Sequence, residues 1–334
     1  MRSFEYASPT TKEQAVGLLG ATWGQAEVLA GGTDLLALMK DDVVHPKRLV
    51  NIKQIKEMSG VTLGPKGLRV GALATLGELA DNVNVVKDYP ALAEAINDAA
   101  SPQIRNMATI GGNLCQRPRC WYFRGGFGLL PKNEAGKDLV TEGENRYHAI
   151  LGNDGPAKFV SPSSIVPVLI AYGAVLQLVG PHGPRVQSLE RFYIIPKTET
   201  EREHDLRPNE IIAEILLPPI RDLKVAHYEI RQKQAFDWPL AVAAVALNMQ
   251  GSDLFGCRLV LGAVAPVPWR AGDGEAALNK AARIHGGISE EAAKAAAEGA
   301  LQSATPLSHN AYKVQLAKVA VKRVILKAAS GGAA

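Results

Sequence analysis

Two glycine pairs, 80 residues apart, constrain the fold of this chain more than any other feature. The first lies in the sequence LAGGTD (residues 29–34) and the second in TIGGN (residues 109–113), and each follows a short apolar run that predicts a strand. Without Cβ atoms, such turns let backbone N–H groups converge on an anion, and Thr33 and Asn113 can add donors. Either pair alone is more simply explained as a tight turn. The two together favour a nucleotide whose pyrophosphate is held from two sides.

The patterns around the glycine pairs mix helices and strands. Periodicity and capping residues predict helices over 11–19, 35–40, 76–82 and 91–99, strands over 27–30, 49–52 and 210–218, and a hairpin within 61–73. Beyond residue 218 they predict strands over 226–230, 241–249 and 258–264, and helices from about 289 and 309. Pro218 and Pro219 mark a candidate boundary. We therefore expect a first domain over 1–218 and a smaller α+β domain over 219–330.

A polar stretch with several glycines and prolines, residues 115–164, interrupts the apolar pattern. It is too long for an ordinary connection within a compact domain. We expect this excursion to be a functional segment or a partner surface.

Charge and hydropathy exclude two classes of protein. Lys plus Arg exceed Asp plus Glu by 37 − 33 = 4, and the excess is spread along the chain, which argues against nucleic acid as a partner. The longest apolar run, residues 165–179, contains Pro167, Gly173 and Gln177 and is shorter than the ~20 residues that a membrane span needs.

Cysteine usage and the N-terminal sequence bear on location. Cys115, Cys120 and Cys257 are an odd number without the spacing of a disulfide scaffold, which favours a reducing compartment. No secretory or twin-arginine signal is visible in the first residues. We expect a cytoplasmic protein, which would be periplasmic only if a partner carried it across the membrane.

Familiar catalytic motifs are missing from the sequence. There is no G-x-G-x-x-G after a strand, no Walker loop, no H-E-x-x-H, no G-x-S-x-G and no C-x-x-C. Rossmann-type dinucleotide binding, zinc proteolysis and serine hydrolysis therefore lose their usual support.

A third feature is the sequence KQAFDWP (residues 233–239), which places Lys233, an acid and two aromatic residues ahead of an apolar strand. A lysine near a flavin would offset the negative charge of the reduced ring. By composition alone, a surface Lys/Asp pair beside a packed tryptophan is the favoured explanation of the segment.

Taken in order, these segments resemble the FAD-binding middle subunit of the xanthine dehydrogenase (molybdenum hydroxylase) family. LAGGTDLLALMK (29–40) looks like its first FAD phosphate loop and TIGGNLCQRPRCWYFR (109–124) like its second. Residues 233–235 are similar to its FAD-contacting lysine motif, and residues 309–323 to its closing helix. The resemblance implies an α+β chain: a two-lobed FAD-binding fold of the vanillyl-alcohol-oxidase (PCMH) type, followed by a small α+β domain of the CO-dehydrogenase flavoprotein type.

The resemblance also implies the cofactor site. Ile212 would pack against the flavin, Ser164 stands where relatives often carry an aspartate near the ribityl chain, and no side chain is required as acid, base or nucleophile. The FAD-binding residues implied are Leu29, Ala30, Gly31, Gly32, Thr33, Asp34, Thr109, Ile110, Gly111, Gly112, Asn113, Ser164, Ile212 and Lys233.

Within this family, residues 113–151 look most like the aldehyde-oxidoreductase branch, whose middle subunit carries an extra 4Fe-4S cluster in the excursion. Such a cluster needs four ligands, and the excursion offers Cys115 and Cys120 with His148 as a third candidate. We infer that the cluster has been lost and that this chain holds no metal. The two thiols are then packed side chains or, alternatively, a redox pair.

The function implied is that of the FAD-carrying electron-transfer subunit of a heterotrimeric molybdenum hydroxylase. Its partners would be a molybdopterin-binding large subunit and a 2Fe-2S small subunit, and electrons would leave to NAD, a quinone, another carrier or dioxygen. Two alternatives stay open: a stand-alone FAD-dependent reductase of the same fold, and a non-redox scaffold subunit with an assembly surface around Arg117, Arg119 and Arg124.

Overall fold

The computed structural model describes residues 1–233 and 235–331, and within these ranges the chain forms three β-sheets, each with its own helices. Gln234, in the middle of the lysine motif, lies outside the described residues. No helix in the described ranges is long and apolar enough to cross a membrane.

The N-terminal lobe is a parallel three-stranded sheet in the order β1-β3-β2. Its first helix is capped by Thr11, whose side chain accepts a hydrogen bond from the Gln14 N–H. Because the strands are parallel, their carboxyl ends share one edge, and the first glycine pair follows β2 at that edge. The elements are β1 (Glu5–Ala7), α1 (Lys12–Leu18), β2 (Ala26–Leu29), α2 (Leu35–Lys40) and β3 (Arg48–Asn51).

The second lobe is built on a five-stranded antiparallel sheet in the order β4-β5-β8-β6-β7. Its longest apolar helix, α10, is buried along its whole length and is followed by the C-cap residue Gly173, which has a φ of 81°. The elements are β4 (Val61–Gly64), β5 (Gly67–Gly71), α3 (Leu76–Ala80), α4 (Val83–Asp88), α5 (Pro90–Asp98), α6 (Pro102–Arg105), α7 (Ile110–Leu114), α8 (Trp121–Arg124), α9 (Leu139–Glu142), α10 (Ile165–Tyr172), β6 (Val175–Gly180), β7 (Gly183–Ser188) and β8 (Ile211–Leu217).

The C-terminal domain is an antiparallel sheet in the order β12-β11-β10-β9, covered on both faces. Along β10, Ala243 and Val245 pack with helices α11 to α13, whereas Ala244 and Ala246 belong to the core of the first domain. This alternation follows from the two-residue period of a strand. The elements are β9 (Leu223–Arg231), β10 (Pro239–Gln250), β11 (Asp253–Gly262), β12 (Trp269–Arg270), α11 (Gly272–His285), α12 (Glu290–Leu301) and α13 (Tyr312–Ala329).

The excursion is fastened to the C-terminal domain by buried asparagines. Asn145 donates to the Ser308 hydroxyl, and Asn153 donates to the Thr305 carbonyl. In the other direction, the Asn310 side chain donates to the carbonyls of His148 and Ala149. This part of the excursion is therefore an internal bridge between the domains and not a free surface.

The α+β organisation expected from the sequence is confirmed, and most expected elements occur within a few residues of their predicted positions. Several elements were not predicted: the helices α4 and α6 to α11, and the strands β1, β6, β7 and β12. In α11, glycines stand at positions 272 and 274, and glycine disfavours helix formation. One expectation was wrong: the second glycine pair does not leave a strand but lies inside the short helix α7.

Candidate functional site

The two glycine pairs meet at one cleft between the two lobes of the first domain. Of the fourteen residues implied by the resemblance, nine line this cleft: Ala30, Gly31, Gly32, Thr33, Asp34, Thr109, Gly111, Gly112 and Ile212. Leu29 and Ile110 are buried beside it in the core, and Asn113 follows the second pair within α7. Sequence segments 80 residues apart thus form one site.

Glycine is required in both loops because backbone segments approach closely. A Cβ on Gly31 would lie 1.9 Å from the Met107 carbonyl oxygen, just ahead of the second loop. A Cβ on Gly111 would lie 2.9 Å from the Ala72 carbonyl oxygen. The two loops are therefore packed against neighbouring backbone, which fixes their spacing without side chains.

The first loop supplies free backbone donors. Gly32 has a φ of 75°, which L side chains rarely adopt. Among the described residues, the N–H groups of Gly32, Thr33 and Asp34 find no hydrogen-bond acceptor. Consecutive unpaired N–H groups around a left-handed glycine form an anion-binding concavity.

The second loop is a different structure from the first. Thr109 caps α7, and its hydroxyl accepts a hydrogen bond from the Gly112 N–H. The Gly111 N–H donates to the Ala72 carbonyl, so these backbone donors are used inside the protein. Asn113 Oδ1 accepts from the Ser163 hydroxyl at 2.6 Å. The second loop thus forms a wall of the cleft, and the unpaired N–H groups come from the first loop.

Asp34 connects the first loop to the segment that follows the second. Its carboxylate accepts the Arg117 backbone N–H at 2.8 Å and the Arg124 guanidinium at 2.7 Å, and it pairs with Arg119 at 3.0 Å. The side chains of Asp34 and Arg124 are each only 16% exposed. The acid in the first loop is therefore neutralised by arginines, which it holds at the edge of the cleft.

Two further arginines of the cleft were not recognised from the sequence as site residues. Arg117 lines the cleft and pairs with Glu203 at 2.9 Å, and Arg202 lines it and pairs with Glu27 at 2.6 Å. The Arg202 guanidinium also lies 4.5 Å from the centre of the Trp23 ring. Arg202 belongs to a charged segment without a motif, so only the tertiary structure reveals its position.

Two residues implied by the resemblance lie away from the cleft lining. Ser164 is buried at the start of α10, beside the carboxylate of Glu229. Lys233 is exposed, and its backbone N–H donates to Asp237. Both lie where the first domain meets the C-terminal sheet.

The cysteines of the excursion do not form a pair. The Cys120 sulfur lies 3.2 Å from His148 Nε2, whereas Cys115 packs against the core, where burial raises the pKa of its thiol to about 12. Within the described ranges no three His, Cys, Asp or Glu side chains are grouped to hold a metal ion. Packed thiols account for this geometry.

Comparison with known proteins agrees with the site. The family model described as the FAD binding domain in molybdopterin dehydrogenase matches residues 2–220, and that of the CO dehydrogenase flavoprotein C-terminal domain matches residues 226–328. The chain is 31% identical to the aldehyde oxidoreductase FAD-binding subunit PaoB of Escherichia coli K12, over 98% of this chain and 99% of that protein. It is 29% identical to the carbon monoxide dehydrogenase medium chain of Hydrogenophaga pseudoflava, over 96% of each.

Solved structures give the same result. A chain of carbon monoxide dehydrogenase from Hydrogenophaga pseudoflava superimposes with a TM-score of 0.77 at 28% identity and covers 100% of this chain and 99% of its own. A chain of quinoline 2-oxidoreductase from Pseudomonas putida 86 gives 0.74 at 25% identity, with 99% and 98% covered. The family expected from the sequence is thereby confirmed: the chain belongs to the FAD-binding medium subunits of the xanthine dehydrogenase and CO dehydrogenase family.

Proposed function

We propose that this chain is the FAD-carrying electron-transfer subunit of a molybdenum hydroxylase. The observation that carries the proposal is the cleft, in which three unpaired N–H groups of the first loop lie beside arginines. Glycine-dependent backbone contacts pack both loops at this place. These donors fit a diphosphate, which is what an FAD presents midway along its length.

When bound, FAD supplies the conversion between two-electron and one-electron transfer. The chain's own residues bind and orient it. The N–H groups of residues 32–34 would hold the diphosphate, and Ile212 would contact the ring system from β8, in the same cleft that Arg117 and Arg202 line. Ser164 and Lys233 remain proposed contacts nearer the domain junction. No acid, base or nucleophile of this chain is needed for electron transfer.

The relatives support the proposed partners. They include FAD-binding subunits and medium chains, names that describe one component of a larger enzyme. We propose a molybdopterin-binding large subunit and a 2Fe-2S small subunit for this chain too, with an external acceptor for the electrons. The unpaired thiols of Cys115, Cys120 and Cys257 support a cytoplasmic location.

The burial of two of the arginines argues against the alternative of a non-redox scaffold subunit, because they were expected to form its assembly surface. The side chains of Arg117 and Arg124 are only 12% and 16% exposed and are engaged with Glu203 and Asp34. Arginines that are largely buried in ion pairs within the chain fit an internal role better than a partner interface.

The test is isolation of the tagged full-length chain from its own host under native conditions. We expect a flavin absorption band, about one FAD per chain, and co-purifying chains that contain molybdenum and iron. Flavin without a molybdenum-containing partner would favour the stand-alone reductase, and a colourless chain with its partners would favour the scaffold.

A further inference from the structure

A second cavity, separate from the cleft, lies between the excursion and the C-terminal sheet. Its volume is about 210 Å³. A cavity of about 150 Å³ already accommodates benzene, so this one has room for a substituted six-membered ring. None of the residues that line it lines the cleft.

The walls of this second cavity are aromatic. Trp121, Tyr147, Phe159 and Trp238 line it. Trp121 and Tyr147 meet edge to face, with ring centres 5.5 Å apart, and the Arg119 guanidinium lies 4.7 Å from the centre of the Trp238 ring. Rings arranged in this way favour a flat, largely apolar occupant.

Two polar groups at this cavity have no partner. Arg119 Nε and His148 Nδ1 are buried and make no hydrogen bond within the part of the chain that the structure describes. His148 is 3% exposed, and both residues line the cavity. Buried polar groups are nearly always hydrogen-bonded, so an unpaired couple at one cavity indicates a missing ligand or water.

Both unpaired groups are donors. Burial and the nearby Lys313 ammonium lower the pKa of His148 to about 4, and burial raises the pKa of the Cys120 thiol. The imidazole and the thiol are thus neutral at pH 7. We assign the thiol as the donor to Nε2, which places the imidazole proton on Nδ1. The occupant must therefore supply acceptors.

The charges favour a neutral occupant. The Arg119 guanidinium is already paired with Asp34 at 3.0 Å, and Asp237 adds a negative charge to the lining. Arg119 is the one cation among the described residues that line the cavity, so a carboxylate would find no free cation in the lining, whereas carbonyl oxygens can accept both N–H groups without a charge to neutralise.

We propose that this second cavity binds a planar ring bearing neutral carbonyl oxygens, the chemistry of a quinone. Arg119 separates the cavity from the cleft by the length of one side chain, since it contacts both Asp34 and Trp238. A quinone is among the electron acceptors that the sequence leaves open, and binding in this cavity does not depend on the proposed function.

The test uses duroquinone, whose fully methylated ring has no free position for addition of a thiol, and durene, which has the same four methyl groups and no carbonyl. Binding to the full-length chain is measured by saturation-transfer NMR of the methyl protons, with and without FAD. We expect durene to bind at least about tenfold more weakly, the loss expected for one unmade hydrogen bond. Equal binding of the two would overturn the proposal, as would tighter binding of benzoate than of duroquinone.

Substitutions in the lining test whether duroquinone binds in this second cavity. Trp238→Ala removes a half-exposed ring and His148→Phe removes the donor while keeping a ring in place; each should weaken duroquinone binding about tenfold. Phe255→Ala, an exposed aromatic on β11 outside both cavities, is the matched control. Binding that Trp238→Ala and His148→Phe leave unchanged, or no binding at all, would refute the site. FAD content, measured on the same samples, reports separately on the proposed function.

Discussion

Replacing Asp34 by Asn tests the link between the two loops. Asn keeps the shape of the side chain, and its oxygen can still accept the Arg117 N–H, but the charge that holds Arg119 and Arg124 is lost. Hydrogen bonds to charged groups contribute about 1.5–3 kcal/mol each. Since Arg119 is 28% exposed and Arg124 16% exposed, solvent screening reduces that contribution, and we expect a loss of about 2 kcal/mol in total.

The same substitution should weaken FAD binding, although it removes a negative charge from an anion site. If about 2 kcal/mol of loop positioning is lost, the dissociation constant can rise by at most about 30-fold, and we expect about tenfold. A carboxylate that faced the diphosphate directly would repel it, and its removal would tighten binding instead. The direction in which the FAD dissociation constant changes therefore shows whether the Asp34 carboxylate positions arginines or contacts the diphosphate directly.

The assay is a double-substitution cycle in FAD affinity and thermal midpoint, with Asp34→Asn, Arg124→Gln and the pair. We expect strong coupling, because each single change already breaks the same contact. Asp42→Asn, which breaks an exposed pair with Arg2, is the control and should change neither quantity. Tighter FAD binding by Asp34→Asn, or additive effects within about 0.5 kcal/mol, would refute the reasoning.

Three further predictions follow from the described contacts. Gly32→Val should abolish FAD retention because a β-branched residue is strained at a φ of 75°. The control Gly17→Ala, at a helical position with open space around it, should retain FAD. Equal flavin absorbance of the two variants would contradict this prediction. Burial lowers the pKa of His204 from 6.5 to about 4. The folded state therefore binds fewer protons than the unfolded state below pH 6.5, and acidification to pH 5 should lower the free energy of unfolding by about 2 kcal/mol through this residue. The thermal midpoint of His204→Phe should then fall less between pH 7 and pH 5 than that of the wild type or of the exposed-site control His182→Gln. An equal fall of the thermal midpoint in all three proteins would contradict this prediction. Iron analysis of the isolated chain should find no cluster iron, and about four irons per chain would restore a 4Fe-4S cluster.

The first loop could be predicted from the sequence because its information is local. A strand-forming run, two glycines and a helix at 35–40 lie within a dozen residues, and the structure has β2 and α2 at these positions. The role of the Asp34 side chain was not predictable, because its partners lie 83 and 90 residues away and only the packed fold brings them together.

The second loop was wrongly predicted as a turn after a strand because its two glycines were given more importance than the helix-capping residue Thr109. Thr109 is a good N-cap, and its hydroxyl meets the N–H three residues on. Glycine is a poor helix former, so the local pattern predicts a turn. The structure holds the helix because the Gly111 N–H finds the Ala72 carbonyl and Ile110 is buried. Tertiary contacts thus override local propensity at this position.

The asparagine bridge between the excursion and the C-terminal domain has a consequence for how the protein denatures. Asn145, Asn153 and Asn310 are fully or almost fully buried, and separating the domains would leave their amides and the carbonyls they contact without partners. Each stranded polar group costs about 1–3 kcal/mol. Neither domain can therefore melt alone without destabilising the other, and heat should unfold the chain in a single cooperative transition.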